Sequence, residues 1–143
     1  MNIDGRAWRT IWLEPDGGLG AHAIGVIDQT QLPHRFTTRS LRSCEEAAGA
    51  IRTMVVRGAP LIGVTGAYGL MLALQADPSD AALKAAFAQL NATRPTAVNL
   101  RWALERVRAR VAPRSASTAW RSSSWSCWVA SAGMCSWSRT PRA

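Results

Sequence analysis

Two short segments hold the residues best suited to chemistry, and each sets an arginine at the entrance of a helix. The first is Val56-Arg57-Gly58-Ala59-Pro60. Gly58 tolerates unusual backbone angles and lets a ligand come close to the main chain. The amides of the helix that follows are unpaired, and its dipole adds partial positive charge there. Arg57 supplies a fork of donors that matches phosphate oxygens. The second segment, Arg94-Pro95-Thr96-Ala97-Val98-Asn99-Leu100, repeats the pattern of an arginine, a rigid proline and a helix start. Two arginines so placed could converge on one phosphate. Ordinary helix turns with solvated arginines would use the same residues, so both readings stand at this level.

Other segments offer less. Asp28-Gln29-Thr30-Gln31-Leu32-Pro33 is a polar turn behind an apolar strand. His22 and His34 lack the i, i+4 partner of a metal pair and read as surface or structural residues. Cys44, Cys127 and Cys135 match neither a disulfide framework nor a zinc knuckle. Cys44 reads as a small half-buried residue near a helix start. There is no phosphate-binding loop, dinucleotide glycine signature or Ser-His-Asp set, and no metal site is expected.

The elements that must position the two arginines follow from periodicity. Residues 7–13 and 21–28 read as strands of a hairpin across the turn cluster Pro15-Asp16-Gly17-Gly18, with a third short strand at 35–38. Ser43 and Glu46 form a capping box, and apolar residues at helical spacing carry that helix to about Val56. Pro60 suits the first turn of a second helix. That helix is almost free of charge, with Gly63, Gly66 and Gly69 at every third position. Each glycine costs about 1 kcal/mol relative to alanine. The helix must therefore be buried, with another backbone against its glycine face and a further domain expected to cover it. Without that domain, poor solubility or self-association is expected. Ser79 or Asp80 caps a third helix with Leu83, Ala86, Phe87 and Leu90 on one face. Thr96 caps a fourth, bearing Leu100, Ala103, Leu104, Val107 and Val111. The fold class is α+β: a small N-terminal antiparallel β-sheet followed by a helical bundle.

Of the 143 residues, 1–112 read as one folded domain. Residues 113–143 are dominated by Ser, Trp, Arg and Ala without periodicity, and read as a disordered or out-of-frame tail. The net charge of +8 would suggest a polyanion partner. However, the last acidic residue is Glu105, and every charged residue from Arg106 onward is arginine. The basic excess thus belongs to the C-terminal third and fits GC-rich coding DNA, so a nucleic-acid partner is not expected. No stretch approaches the ~20 unbroken apolar residues of a spanning helix, and the N-terminus lacks a signal-peptide pattern. A cytoplasmic protein without a membrane partner is the expectation.

The strand motif Ile27-Asp28-Gln29-Thr30-x-Leu32-Pro33, the run from Ala50 through Val56-Arg57-Gly58-Ala59-Pro60-x-Ile62-Gly63, then Ala67-Tyr68-Gly69 and Arg94-Pro95-Thr96-Ala97-Val98-Asn99-Leu100-x-Trp102-Ala103 occur in that order. Together they resemble the methylthioribose-1-phosphate isomerases, over residues 8 to 111. That family is similar in fold to the regulatory subunits of translation initiation factor 2B. The resemblance implies aldose-to-ketose isomerisation of 5-methylthioribose 1-phosphate in methionine salvage, with no metal or organic cofactor and with homodimers among intact relatives. It implies that Arg57, Gly58 and Ala59 contact the substrate and that Arg94 binds its phosphate. The family's catalytic cysteine, in a threonine–histidine–cysteine–asparagine segment, and its catalytic aspartate belong to a C-terminal Rossmann-like domain. Neither motif is in this sequence, so no catalytic residue is assigned. The expectation is a truncated, inactive isomerase fragment; a non-catalytic regulatory or interaction module is the alternative.

Overall fold

The computed structural model describes residues 2, 3, 5–14 and 22–111. The tail expected at 113–143, with Cys127 and Cys135, lies outside the described residues, as does the turn cluster 15–18. The elements are α+β. Two short strands, β1 (Asn2–Ile3) and β2 (Arg6–Ala7), pair antiparallel around Gly5. A three-stranded antiparallel sheet follows, in the order β3 (Ile11–Glu14), β4 (Ala23–Ile27), β5 (Thr38–Leu41). Four helices complete the fold: α1 (Cys44–Arg52), α2 (Ala59–Ala76), α3 (Asp80–Thr93) and α4 (Val98–Val111).

The expected hairpin is present, with Glu14 opposite Ala23 and Ile11 opposite Val26. Its strands are shorter than the apolar run suggested, because the chain bends between Ala7 and Ile11. The third strand is displaced from 35–38 to Thr38–Leu41. The amide of Arg35 donates instead to the carbonyl of Gln31, which closes a turn, and pairing begins where Thr38 meets Ile27. Both faces of β4 are covered. Ile24 and Val26 join the helical core, while Trp12 lies across Gly25, where a Cβ would collide with the indole. Trp8 meets Trp12 and Phe36 edge-on, extending the aromatic cover.

Ser43 caps α1 by accepting from the amide of Glu46. The Glu46 carboxylate reaches back one residue further than a standard capping box, to the amide of Arg42. The helix stops at Arg52 rather than Val56, because Met54 takes a left-handed conformation (φ 64°). The chain then folds back, and the amide of Val56 donates to the carbonyl of Ala50. Val55 and Val56 enter the core as an irregular strap instead of a last helical turn.

Helix α2 is 18 residues long with a mean hydropathy of 1.4, long and apolar enough by length and composition to cross a membrane. The reading that nothing in the sequence approaches such a segment was too strong. In this fold α2 is the central core helix: eleven of its residues, from Ile62 to Leu74, are buried. A helix apolar on all sides is what such a position requires. The expectation that a further domain must cover it is overturned, because α1, α3 and α4 already do. A Cβ at Gly63 would sit 2.9 Å from the carbonyl oxygen of Asn99. At Gly66 it would meet Leu100 and Leu104, and at Gly69 Leu90 and Ala47. The glycines let three helices approach closely, and dispersion contacts offset their propensity cost.

Ser79 caps α3 by accepting from the amide of Ala82, while Leu83, Ala86 and Leu90 point inward. Thr96 does not cap α4. The amide of Ala97 donates to the carbonyl of Arg94, and that of Arg101 to Ala97, so the helix begins one residue later than expected.

Candidate phosphate site at two helix entrances

The contacts of the glycine face fix the sense of the two helices that follow the arginines. Position 63 of α2 meets Asn99 and Ala103 of α4, and position 66 meets Leu100 and Leu104. Both sequences ascend together, so α2 and α4 run in the same direction. Their N-termini therefore share one end of the bundle, and both helix dipoles direct positive potential to that end.

Arg57 leaves this end from a tightly held loop. The carbonyl of Val55 accepts from the amide of Gln29, and Val56 is pinned to Ala50. Gly58 has φ 90° and ψ 136°, a conformation that L side chains rarely adopt, and its carbonyl accepts from Ile62 in the first turn of α2. A Cβ on Gly58 would meet nothing within 4 Å, so glycine is required for the backbone angle, not for space. Ala59 and Pro60 open α2 and are exposed; no side chain caps this N-terminus. Its amides are left for a ligand or water. Arg57 itself is exposed.

Arg94 comes from the turn between α3 and α4. Its Nη1 lies 3.1 Å from the sulfur of Met54, three residues before Arg57. The structure thus brings the second arginine against the loop that carries the first. The sequence-expected residues Arg57, Gly58, Ala59 and Arg94 all belong to this end of the molecule. The apolar residues Met54, Val98 and Trp102 are also exposed on these elements.

Sequence reasoning missed one buried neighbour of this loop. Asp28, taken only as a turn residue, is 1% exposed. Its Oδ1 accepts from the amide of Thr30 (3.0 Å) and from the Thr30 hydroxyl (2.6 Å), and its Oδ2 accepts from Nε of Arg39 (2.7 Å). Burial pushes the carboxyl pKa up, but the Thr30 bonds and Arg39 outweigh it and hold the group below the usual aspartate value. The polar pair Asp28 and Thr30 was visible in sequence; Arg39, eleven residues away, was not.

The remaining candidates behave as ordinary structure. Cys44 is half-buried at the start of α1, and burial pushes its thiol up to about 11. Its Sγ faces Oε1 of Gln89 at 3.8 Å. His34 is exposed, and His22 is half-buried at the foot of β4. Among the described residues, no three His, Cys, Asp or Glu side chains gather as a metal site would require.

The profile of the Initiation factor 2 subunit family matches residues 55–129, and the chain belongs to that family. The matched stretch starts at the Arg57 loop and runs past residue 112. The chain is similar both to proteins named as isomerases and to an initiation-factor subunit. The methylthioribose-1-phosphate isomerase of Methylobacterium nodulans is 66% identical over 107 residues, covering 75% of this chain and 28% of that protein. The crystal structure of 5-methylthioribose 1-phosphate isomerase from Pyrococcus horikoshii OT3 superposes with a TM-score of 0.65 at 35% identity, over 77% of this chain and 31% of that one. The translation initiation factor eIF-2B subunit delta from A. fulgidus gives 0.60 at 34% identity, over 77% and 36%. The chain spans about 28% of the length of the curated isomerase.

Proposed function

We propose that this chain carries the phosphate-binding part of a methylthioribose-1-phosphate isomerase, and that 5-methylthioribose 1-phosphate is the ligand. The observation that carries this reading is the shared end of α2 and α4, where Arg94 lies against the loop of Arg57. Arg57 and Arg94 pair with phosphate oxygens. Gly58 and Ala59 shape the cradle, and the free amides of α2 complete it. The likeness to proteins named for this substrate supports its identity.

Isomerisation of a sugar phosphate moves a proton between two carbons and needs a group to accept and return it. Residues 53–60 and 93–99 contain no carboxylate, thiol or imidazole. These entrances can therefore hold a phosphate but cannot relay a proton. By itself the chain binds without turnover, and catalysis requires residues supplied from elsewhere. The 1–112 domain limit, the cytoplasmic location, the lack of a cofactor and the pairing into homodimers belong to the same proposal.

Isothermal titration with 5-methylthioribose 1-phosphate tests it. Arg57→Ala and Arg94→Ala should each weaken binding roughly tenfold to a hundredfold, the worth of a hydrogen bond to a charged group. Affinity that ignores both substitutions overturns the site, and turnover by this chain alone overturns the inactive reading. The second reading is a regulatory or interaction module, favoured by the likeness to the eIF-2B delta subunit. It expects no sugar-phosphate binding.

A further inference from the structure

Asp28 is the one fully buried charged side chain among the described residues, and it stands where three parts of the chain meet. Its carboxylate spans the turn after β4 through Thr30 and the β5 strand through Arg39. Its own amide donates to the carbonyl of Thr37, just before β5. The next amide, that of Gln29, donates to the carbonyl of Val55, two residues before Arg57. Burying a carboxylate is costly, and an asparagine could still accept from the Thr30 amide. The charge is specifically matched to Arg39, whose side chain is 57% exposed.

We infer that Asp28 and Arg39 are positioning residues of the phosphate site: they fix the Asp28–Thr30 turn, and the Gln29–Val55 bond passes that fixed position to the Arg57 loop. The inference rests on the phosphate reading of Arg57 for its consequence, though the mechanical link does not. From the sheet side, the loop is tied through the Gln29–Val55 bond. Val56 is held by Ala50, and Gly58 by Ile62, but Val55 is held by Gln29. Loosening the turn removes one backbone tie of the strap, whose Val55 and Val56 side chains stay in the core, while leaving α1 and α2 intact. Arg57 then samples more orientations, and ligand binding must pay to restrict them.

Asp28→Asn is nearly isosteric. It keeps an acceptor for Thr30 but presents an amide donor to Nε of Arg39, itself a donor. Arg39→Gln removes the other partner at a largely exposed position, so it tests the same link where Asp28→Asn destabilises the fold. Two readouts decide the matter. The first is amide exchange. Both variants should speed exchange at Gln29 and through residues 54–57, while the amides of α3 keep their wild-type rates. The second is titration with 5-methylthioribose 1-phosphate at a temperature where each variant is folded. Each substitution should weaken binding roughly threefold to tenfold, on the scale of one hydrogen bond. In an Arg57→Ala background the same substitutions should cost nothing further, because residues acting through one another are not additive. A purely structural ion pair would lower the melting temperature but leave affinity and the 54–57 exchange unchanged, and that result overturns the inference. Wild type that fails to bind the ligand refutes the phosphate reading alone; the exchange rates still decide whether Asp28 holds the loop.

Discussion

At the scale of the residue, two positions have consequences that reach past their neighbours. Gly58 adopts φ 90° with open space where a side chain would stand. Gly58→Ala should therefore cost about 1–3 kcal/mol through backbone strain alone, with no steric clash to relieve. Chemical denaturation measures this loss, and an unchanged midpoint would mean that the loop rearranges at no cost. Asp28 governs acid stability. Its folded pKa lies below the unfolded value, since Thr30 and Arg39 outweigh the opposing effect of burial. Its contribution is thus complete above the unfolded value of about 4 and is lost as pH falls through the folded value. As pH falls below about 4, wild type should lose stability more steeply than Asp28→Asn; parallel curves of urea midpoint against pH would show that Asp28 is not the group responsible. Cys44, with its thiol raised to about 11, stays protonated at neutral pH and fills space near Gln89.

At the scale of the element, the glycines of the helices separate into two kinds. Gly63 of α2 has a carbonyl oxygen of α4 at 2.9 Å from its absent Cβ, and a backbone atom cannot rotate away. Gly63→Ala gains about 1 kcal/mol of helix propensity but forces α2 and α4 apart, at about 1–3 kcal/mol. The net should be destabilising, and phosphate affinity should fall with it because both entrances shift. Gly49 of α1 has nothing within 4 Å, so Gly49→Ala should stabilise by about 0.5–1 kcal/mol. Thermal melts of the two variants should move in opposite directions. The stop signals of α1 were partly legible. Gly58 and Pro60 announced an end before α2, but nothing local announced the left-handed Met54 that ends the helix at Arg52. That turn is stabilised by burying Val55 and Val56, which is a property of the core.

At the scale of the whole molecule, sheet and helices share one core. Ile11, Ile24, Val26 and Leu41 from the strands pack with Ile51 and Val56 and with α2 in one continuous cluster. The strands and helices should then unfold together. Far-UV dichroism and the exchange of β4 and α3 amides should report one midpoint in denaturant; separate midpoints would show that the sheet is only loosely attached. The α+β class and the two arginine-bearing helix entrances could be read from local signals. Ser43, Ser79 and Pro60 act within a turn of themselves, and Arg57-Gly58 and Arg94-Pro95 mark helix entrances by residue type. Such signals are local because capping, dihedral preference and apolar period involve residues within about four positions. The common direction of α2 and α4, which puts the two arginines at one end, came only from packing of the glycine face on Asn99, Leu100 and Leu104. Likewise, Asp28 became more than a turn residue only when pairing of β4 with β5 delivered Arg39 to it, since an ion pair across eleven residues has no local signature.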